Sequence, residues 1–232
     1  MNGINLEYSQ EKTASKNIRF TRGEEIANAV SHGAGAVFAV VALVLLVVSS
    51  IKHGTVWHTV TYSIYGATLL ILYLSSTFNH SLPLGTAAKD FFHNFDQIAI
   101  FLLIAGTYTP LSIAGNGIRH DWGWVIFGIE WGAALAGIII KIFIPNKFEK
   151  GVNTAYIIMY AIMGWLLLFF IVPIFKHINL FPIIMILVGG ACYTLGVIFF
   201  KLEGKLKYCH LGWHLMVLAG SICHWVAIWT LI

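Results

Sequence analysis

The sequence predicts an all-α integral membrane protein: a bundle of seven transmembrane helices with a cytoplasmic N-terminus and an outer C-terminus. Three observations carry that prediction. Hydrophobic residues make up 58% of the 232 residues, charged residues only 10%, and the mean hydropathy is +0.80, far from the average of soluble domains. The apolar residues gather into continuous runs near the ~20 residues that cross ~30 Å of hydrocarbon as an α-helix. A spanning β-barrel would show short alternating segments instead. Basic residues then divide eleven to three between alternate connections, which sets the orientation by the excess of Lys and Arg on cytoplasmic loops.

The runs, with their flanks, are Glu25–Ser50, Val56–His80, Gln97–Ala114, Trp122–Phe143, Asn153–Phe175, Asn179–Phe200 and Leu211–Ile232. Lys12, Lys16, Arg19, Arg22, Lys89, Lys141, Lys147, Lys150, Lys201, Lys205 and Lys207 fall inside, and only Lys52, Arg119 and Lys176 fall outside. Topology thus accounts for the net charge of +4, and no nucleic-acid partner is implied. Residues 1–23 are polar and read as a short cytoplasmic tail. They do not read as a cleavable signal, because the first hydrophobic run is long and starts late. Residues 24–232 form the membrane domain. Trp57, Trp122, Trp124, Trp213 and Trp229 suit interfacial belts.

The first helix carries Glu25 and His32, seven residues apart and so on one face about two turns apart; they read as bundle-facing groups, each in a structural hydrogen bond with a partner. The second helix ends in Ser76-Thr-Phe-Asn-His80. It runs inward, so His80 arrives at the cytoplasmic edge, with Ser76 one turn away on the same face. The third begins with Asp96 at that edge. The seventh starts there with His210 and His214, four residues apart and facing the same way. The topology count therefore brings three histidines, a carboxylate and a serine to one depth. Three imidazoles plus a water is the zinc arrangement of catalytic sites, not the closed structural one.

Other polar residues fit that depth less well. His93, in the inner loop, is a rival ligand in a segment that reads as interfacial. His224 lies fourteen residues after His210, about 21 Å along the helix and too deep for one metal, and reads as a satisfied interhelical histidine. Glu130 is a lone intramembrane acid and reads as bundle-facing. His53, His58, His120 and His177 read as outer surface. Cys192, Cys209 and Cys223 are odd in number and suggest no disulfide framework. Gly189, Gly190 and Gly196 read as close helix packing, while Pro110, Pro173 and Pro182 would kink or end helices.

Several ordered pieces resemble the haemolysin III family, the bacterial branch of the progestin and adipoQ receptor family. They are Glu24-Glu-Ile-Ala-Asn-Ala-Val-Ser-His-Gly33, Ser76…His80, Asp96 with Ile104-Ala-Gly-Thr-Tyr-Thr-Pro110, and His210…His214 with Ala219-Gly-Ser-Ile-Cys-His224. The family is similar to a wider set of ceramidase-like membrane hydrolases. The resemblance implies a bacterial plasma-membrane protein, with zinc held by His80, His210 and His214. Asp96 would serve the zinc-bound water and Ser76 would sit beside the site. Many relatives have Asp-His where this chain has Asp96-Gln97.

Three functions follow as expectations. The first is a zinc-dependent hydrolase cleaving lipid amide or ester bonds at the cytoplasmic edge through zinc-bound hydroxide. The second is the pore-forming cytolysin that the family name suggests, against which stands the shortage of intramembrane charge. The third is a regulator of membrane lipid state, with structural zinc and a cavity for a free fatty acid. The expected partner throughout is a membrane lipid or fatty acid.

Overall fold

The computed structural model describes residues 20–114, 122–143, 149–170, 179–203 and 205–232. The described residues form seven α-helices: α1 (Arg22–His53), α2 (Val56–Ser81), α3 (Ala87–Ile113), α4 (Trp124–Phe143), α5 (Glu149–Gly164), α6 (Leu180–Lys201) and α7 (Cys209–Trp229). A short, tighter helical turn, Leu166–Phe170, follows α5. The expected tail over residues 1–19, and Arg119, His120, Lys147, Pro173, Lys176 and His177, lie outside the described residues.

By length and composition, α1, α3, α4, α6 and α7 are each able to cross a membrane. The other two fall short for different reasons. α2 has 26 residues but carries many hydroxyls, most of which are satisfied within the helix. Thr61, Ser63, Ser75 and Thr77 each donate to a backbone carbonyl three or four residues earlier, the way a helix hides hydroxyls from an apolar surround. α5 ends at Gly164 after 16 residues, so the run expected to continue to Phe175 is broken.

Helix starts differ from the apolar runs because caps, not hydropathy, decide them. Thr21 and Glu24 form a reciprocal capping box that opens α1 at Arg22. Thr86 accepts the Lys89 amide at 3.2 Å and starts α3 ten residues before Gln97. The segment around His93 is therefore helix, and Asp96 stands in the third turn of α3. α3 continues through Pro110 to Ile113. Pro182 sits in the first turn of α6, where a missing N–H costs nothing.

The Tyr62 hydroxyl of α2 donates to the Ile228 carbonyl of α7 at 2.7 Å. α1 packs on α2, α2 on α3, and α3 on α4; α6 packs on α7, which closes back on α1. On α1 the inward positions Gly35, Ala39 and Ala42 are small and buried, which lets helices approach closely. A Cβ at Gly35 would collide with the Tyr73 ring. The opposite stripe, Val37, Val41, Val44 and Val48, is 44–67% exposed, as a lipid-facing surface requires.

Candidate metal centre

At one end of the bundle His80 from α2 meets His210 and His214 from the first turns of α7, with ligand atoms all within 4.8 Å of one another. What aims them is the set of acceptors behind each ring. His80 Nδ1 donates to Glu25 Oε2 at 2.6 Å. His210 Nδ1 donates to Glu203 Oε2 at 2.8 Å. His214 Nδ1 lies 3.2 Å from the Asn28 carbonyl and 3.0 Å from Ser31 Oγ. Carboxylates and carbonyls only accept, so each Nδ1 carries a proton and Nε2 is the ring atom left to face the centre. Such partners fix the tautomer and orientation of metal-binding histidines.

The residues fit a zinc ion on this geometry. His80 Nε2 and His210 Nε2 face each other at 3.2 Å, close to the roughly 3.3 Å edge of a tetrahedron with Zn–N bonds of ~2.0–2.1 Å. A metal ion or a shared proton between the two nitrogens accounts for so close an approach. Behind them, Glu25 also binds Lys89 Nζ at 3.2 Å, and Lys89 donates to the Asn79 carbonyl. This cation ties α1, α2 and α3 together beside the histidines. Replacing Glu203 with Ala is expected to weaken zinc binding roughly 10–100-fold, the usual cost of losing such an orienting group. A chelator-competition titration measures it; unchanged affinity would detach Glu203 from the site.

The predicted catalytic pair is close by. Asp96 Oδ2 accepts the Asn79 side-chain amide at 3.1 Å. The Ser76 hydroxyl sits beside the Asp96 carboxyl, makes no well-formed hydrogen bond to it, and is otherwise unpartnered among the described residues. Ser76, Asp96 and all three histidines line one cavity of about 350 Å³. Its walls deeper in the bundle are apolar, with Leu72, Ile100, Leu103, Ile104, Val197 and Val217. The lining reaches His224, fourteen residues along α7 from His210, so it extends about 20 Å. A polar head joined to a long apolar chamber is the shape of an amphiphile.

Several residues stand elsewhere than their sequence context suggests. Glu25 finds its bundle partner on the neighbouring helix, in His80. His32 stacks on His214, with ring centroids 3.5 Å apart and planes 12° from parallel. His93 lines the cavity mouth, 3.3 Å from the Gln97 amide, outside the three-histidine group. His58 is buried, not on the surface, because its Nδ1 accepts the Thr55 amide at 3.1 Å and caps α2. His53 is exposed as expected. Trp213 faces the cavity instead of the interface, against Phe200.

His224 donates to the Ile186 carbonyl at 3.1 Å, an interhelical bond as expected. Glu130 is fully buried, with neither carboxyl oxygen partnered among the described residues. Glu203 and Ser31 escape sequence reasoning. The same depth count, applied to the ends of α1 and α6 nearest the histidines, would have found Glu25 and Glu203.

The family described as haemolysin-III related matches residues 20–225. Hemolysin-3 of Bacillus cereus is 42% identical over 198 residues, covering 85% of this chain and 87% of that protein. The Hemolysin-3 homolog of Bacillus subtilis (strain 168) is 37% identical over 202 residues, covering 87% and 91%. The monocyte to macrophage differentiation factor of Homo sapiens is 28% identical over 212 residues, covering 89% and 83%.

Proposed function

The chain belongs to the haemolysin-III-related family of multi-pass membrane proteins, and from that premise we propose that it is a zinc-dependent hydrolase of lipid amide or ester bonds. The observation that carries this reading is the convergence of three Nε2 atoms, each ring held from behind, on the polar end of an apolar chamber. Zinc held there by His80, His210 and His214 would acidify a water and polarise a carbonyl. Asp96 then accepts the proton of the attacking water and passes it to the leaving amine or alcohol. Asn79 holds the Asp96 carboxyl in place. Ser76, with its open hydroxyl, hydrogen-bonds the carbonyl end of the substrate. The acyl chain lies along Leu72, Leu103 and Val217, excluding water from the depth of the chamber.

The test is release of fatty acid from acyl-amide and acyl-ester lipids by purified protein in bilayers, with and without zinc stripping. Zinc-dependent release is expected. If no lipid is cleaved, the reading yields to that of a regulator whose chamber binds a fatty acid.

In the proposed topology all seven helices cross the membrane, with the N-terminus and the histidine site on the cytoplasmic side. Impermeant labelling of single cysteines placed at residues 2 and 232 should mark opposite sides. Labelling of both from one side would remove the seven-span topology.

A further inference from the structure

We infer that the segment joining α6 to α7 is a docking site for the headgroup of an anionic phospholipid, set at the rim of the histidine site. The segment reads Lys201-Leu-Glu-Gly-Lys-Leu-Lys-Tyr208. Lys201, Lys205 and Lys207 are all exposed, and between them Leu206 is 59% and Tyr208 49% exposed. Cations alternating with apolar side chains suit the boundary between headgroups and acyl chains. There the ammonium groups meet phosphate while Leu and Tyr enter the apolar layer.

The acids of this region are turned away from that surface. The Glu203 side chain is only 3% exposed and binds His210. Glu24 is buried and accepts the Tyr208 amide at 2.9 Å and the Thr21 hydroxyl at 2.8 Å; it lies near Lys207 but both its oxygens are engaged. A loop of mixed charge in sequence thus shows only positive charge outside. Orientation by lysine excess explains basic residues at this face. It does not explain why the neighbouring acids point inward, or why the loop is bolted to a ligand histidine.

The attachment is short. The Lys205 amide donates to Leu202 at 3.0 Å, Tyr208 takes the left-handed conformation at φ 60°, and His210 follows two residues later. A phosphate held by these lysines places the lipid's acyl linkages beside the three imidazoles. Resting on the hydrolase reading, this narrows the substrate to acyl lipids with an anionic phosphate headgroup.

The experiment follows thermal unfolding of the full-length zinc-loaded protein in detergent, titrated with phosphatidylglycerol or with zwitterionic phosphatidylcholine. Phosphatidylglycerol is expected to raise the midpoint at concentrations where phosphatidylcholine does not, and added salt should erase the difference. Changing Lys201, Lys205 and Lys207 together to Gln should weaken the phosphatidylglycerol effect by about five-fold per lysine, with zinc content unchanged. The corresponding triple Arg variant should restore it, and Lys141→Gln, on α4, should have little effect.

Equal shifts from the two lipids, or an undiminished shift in the triple Gln variant, would overturn the inference. The two proposals separate cleanly. Selective phosphatidylglycerol binding without any lipid cleavage sinks the hydrolase reading and leaves the docking site. Cleavage without headgroup preference does the reverse.

Discussion

Asp96→Asn is expected to retain zinc and lose lipid hydrolysis by roughly 10²–10⁴-fold, the usual worth of a positioned general acid–base group. The substitution keeps the size of the side chain and an oxygen to accept the Asn79 amide, now at 3.1 Å. Asp96 is outside the three-histidine group, so the imidazoles and the carboxylates behind them are untouched. What goes is the proton acceptor. Fatty-acid release and zinc content measured on one preparation check the two halves together. Wild-type release would remove Asp96 from the mechanism. Loss of zinc along with release would make it part of the metal site.

Replacing any one of His80, His210 or His214 with Ala should bring zinc, measured by elemental analysis after a chelator wash, down from about one ion per chain to background. A three-imidazole site has no spare protein ligand. The effects should also be unequal in stability. His80→Ala takes a partner from Glu25, which keeps Lys89, and His210→Ala takes the ring paired with the buried Glu203 carboxylate; losing a partner of a buried charge is costly. His214→Ala frees only a backbone carbonyl and a serine, so that variant should be the least destabilised of the three. Full zinc retention in all three variants would disprove the ligand set.

The histidine site was legible in the sequence because depth in a membrane is a one-dimensional quantity. Run lengths and basic loops order the helix ends, and that suffices to bring His80 to the level of His210 and His214. Rotation about each helix axis is a different quantity, set by how neighbours pack. Hydropathy does not report it. That is why the spacing of Glu25 and His32 reveals a shared face, while the partner of Glu25, His80 across the interface, is not legible. Caps were the second blind spot. Thr86 extends α3 over the segment around His93, and the bond from the Thr55 amide pulls His58 inside; both depend on one side chain at a boundary, invisible to an average over twenty residues.

The hydroxyl-rich α2 bears on how the protein enters its membrane. It holds His80, yet it is not among the helices apolar enough to cross alone. Its connection to α1 is only Gly54 and Thr55, and the faces of the two helices match closely at Gly35 and Gly66. α1 and α2 therefore suit insertion together as a hairpin, the strongly apolar first helix carrying the reluctant second. His80 on α2 then reaches its depth through the company it keeps during biosynthesis, and a substitution that parts the hairpin would cost the cell the whole chain before it disturbed the three-histidine cluster.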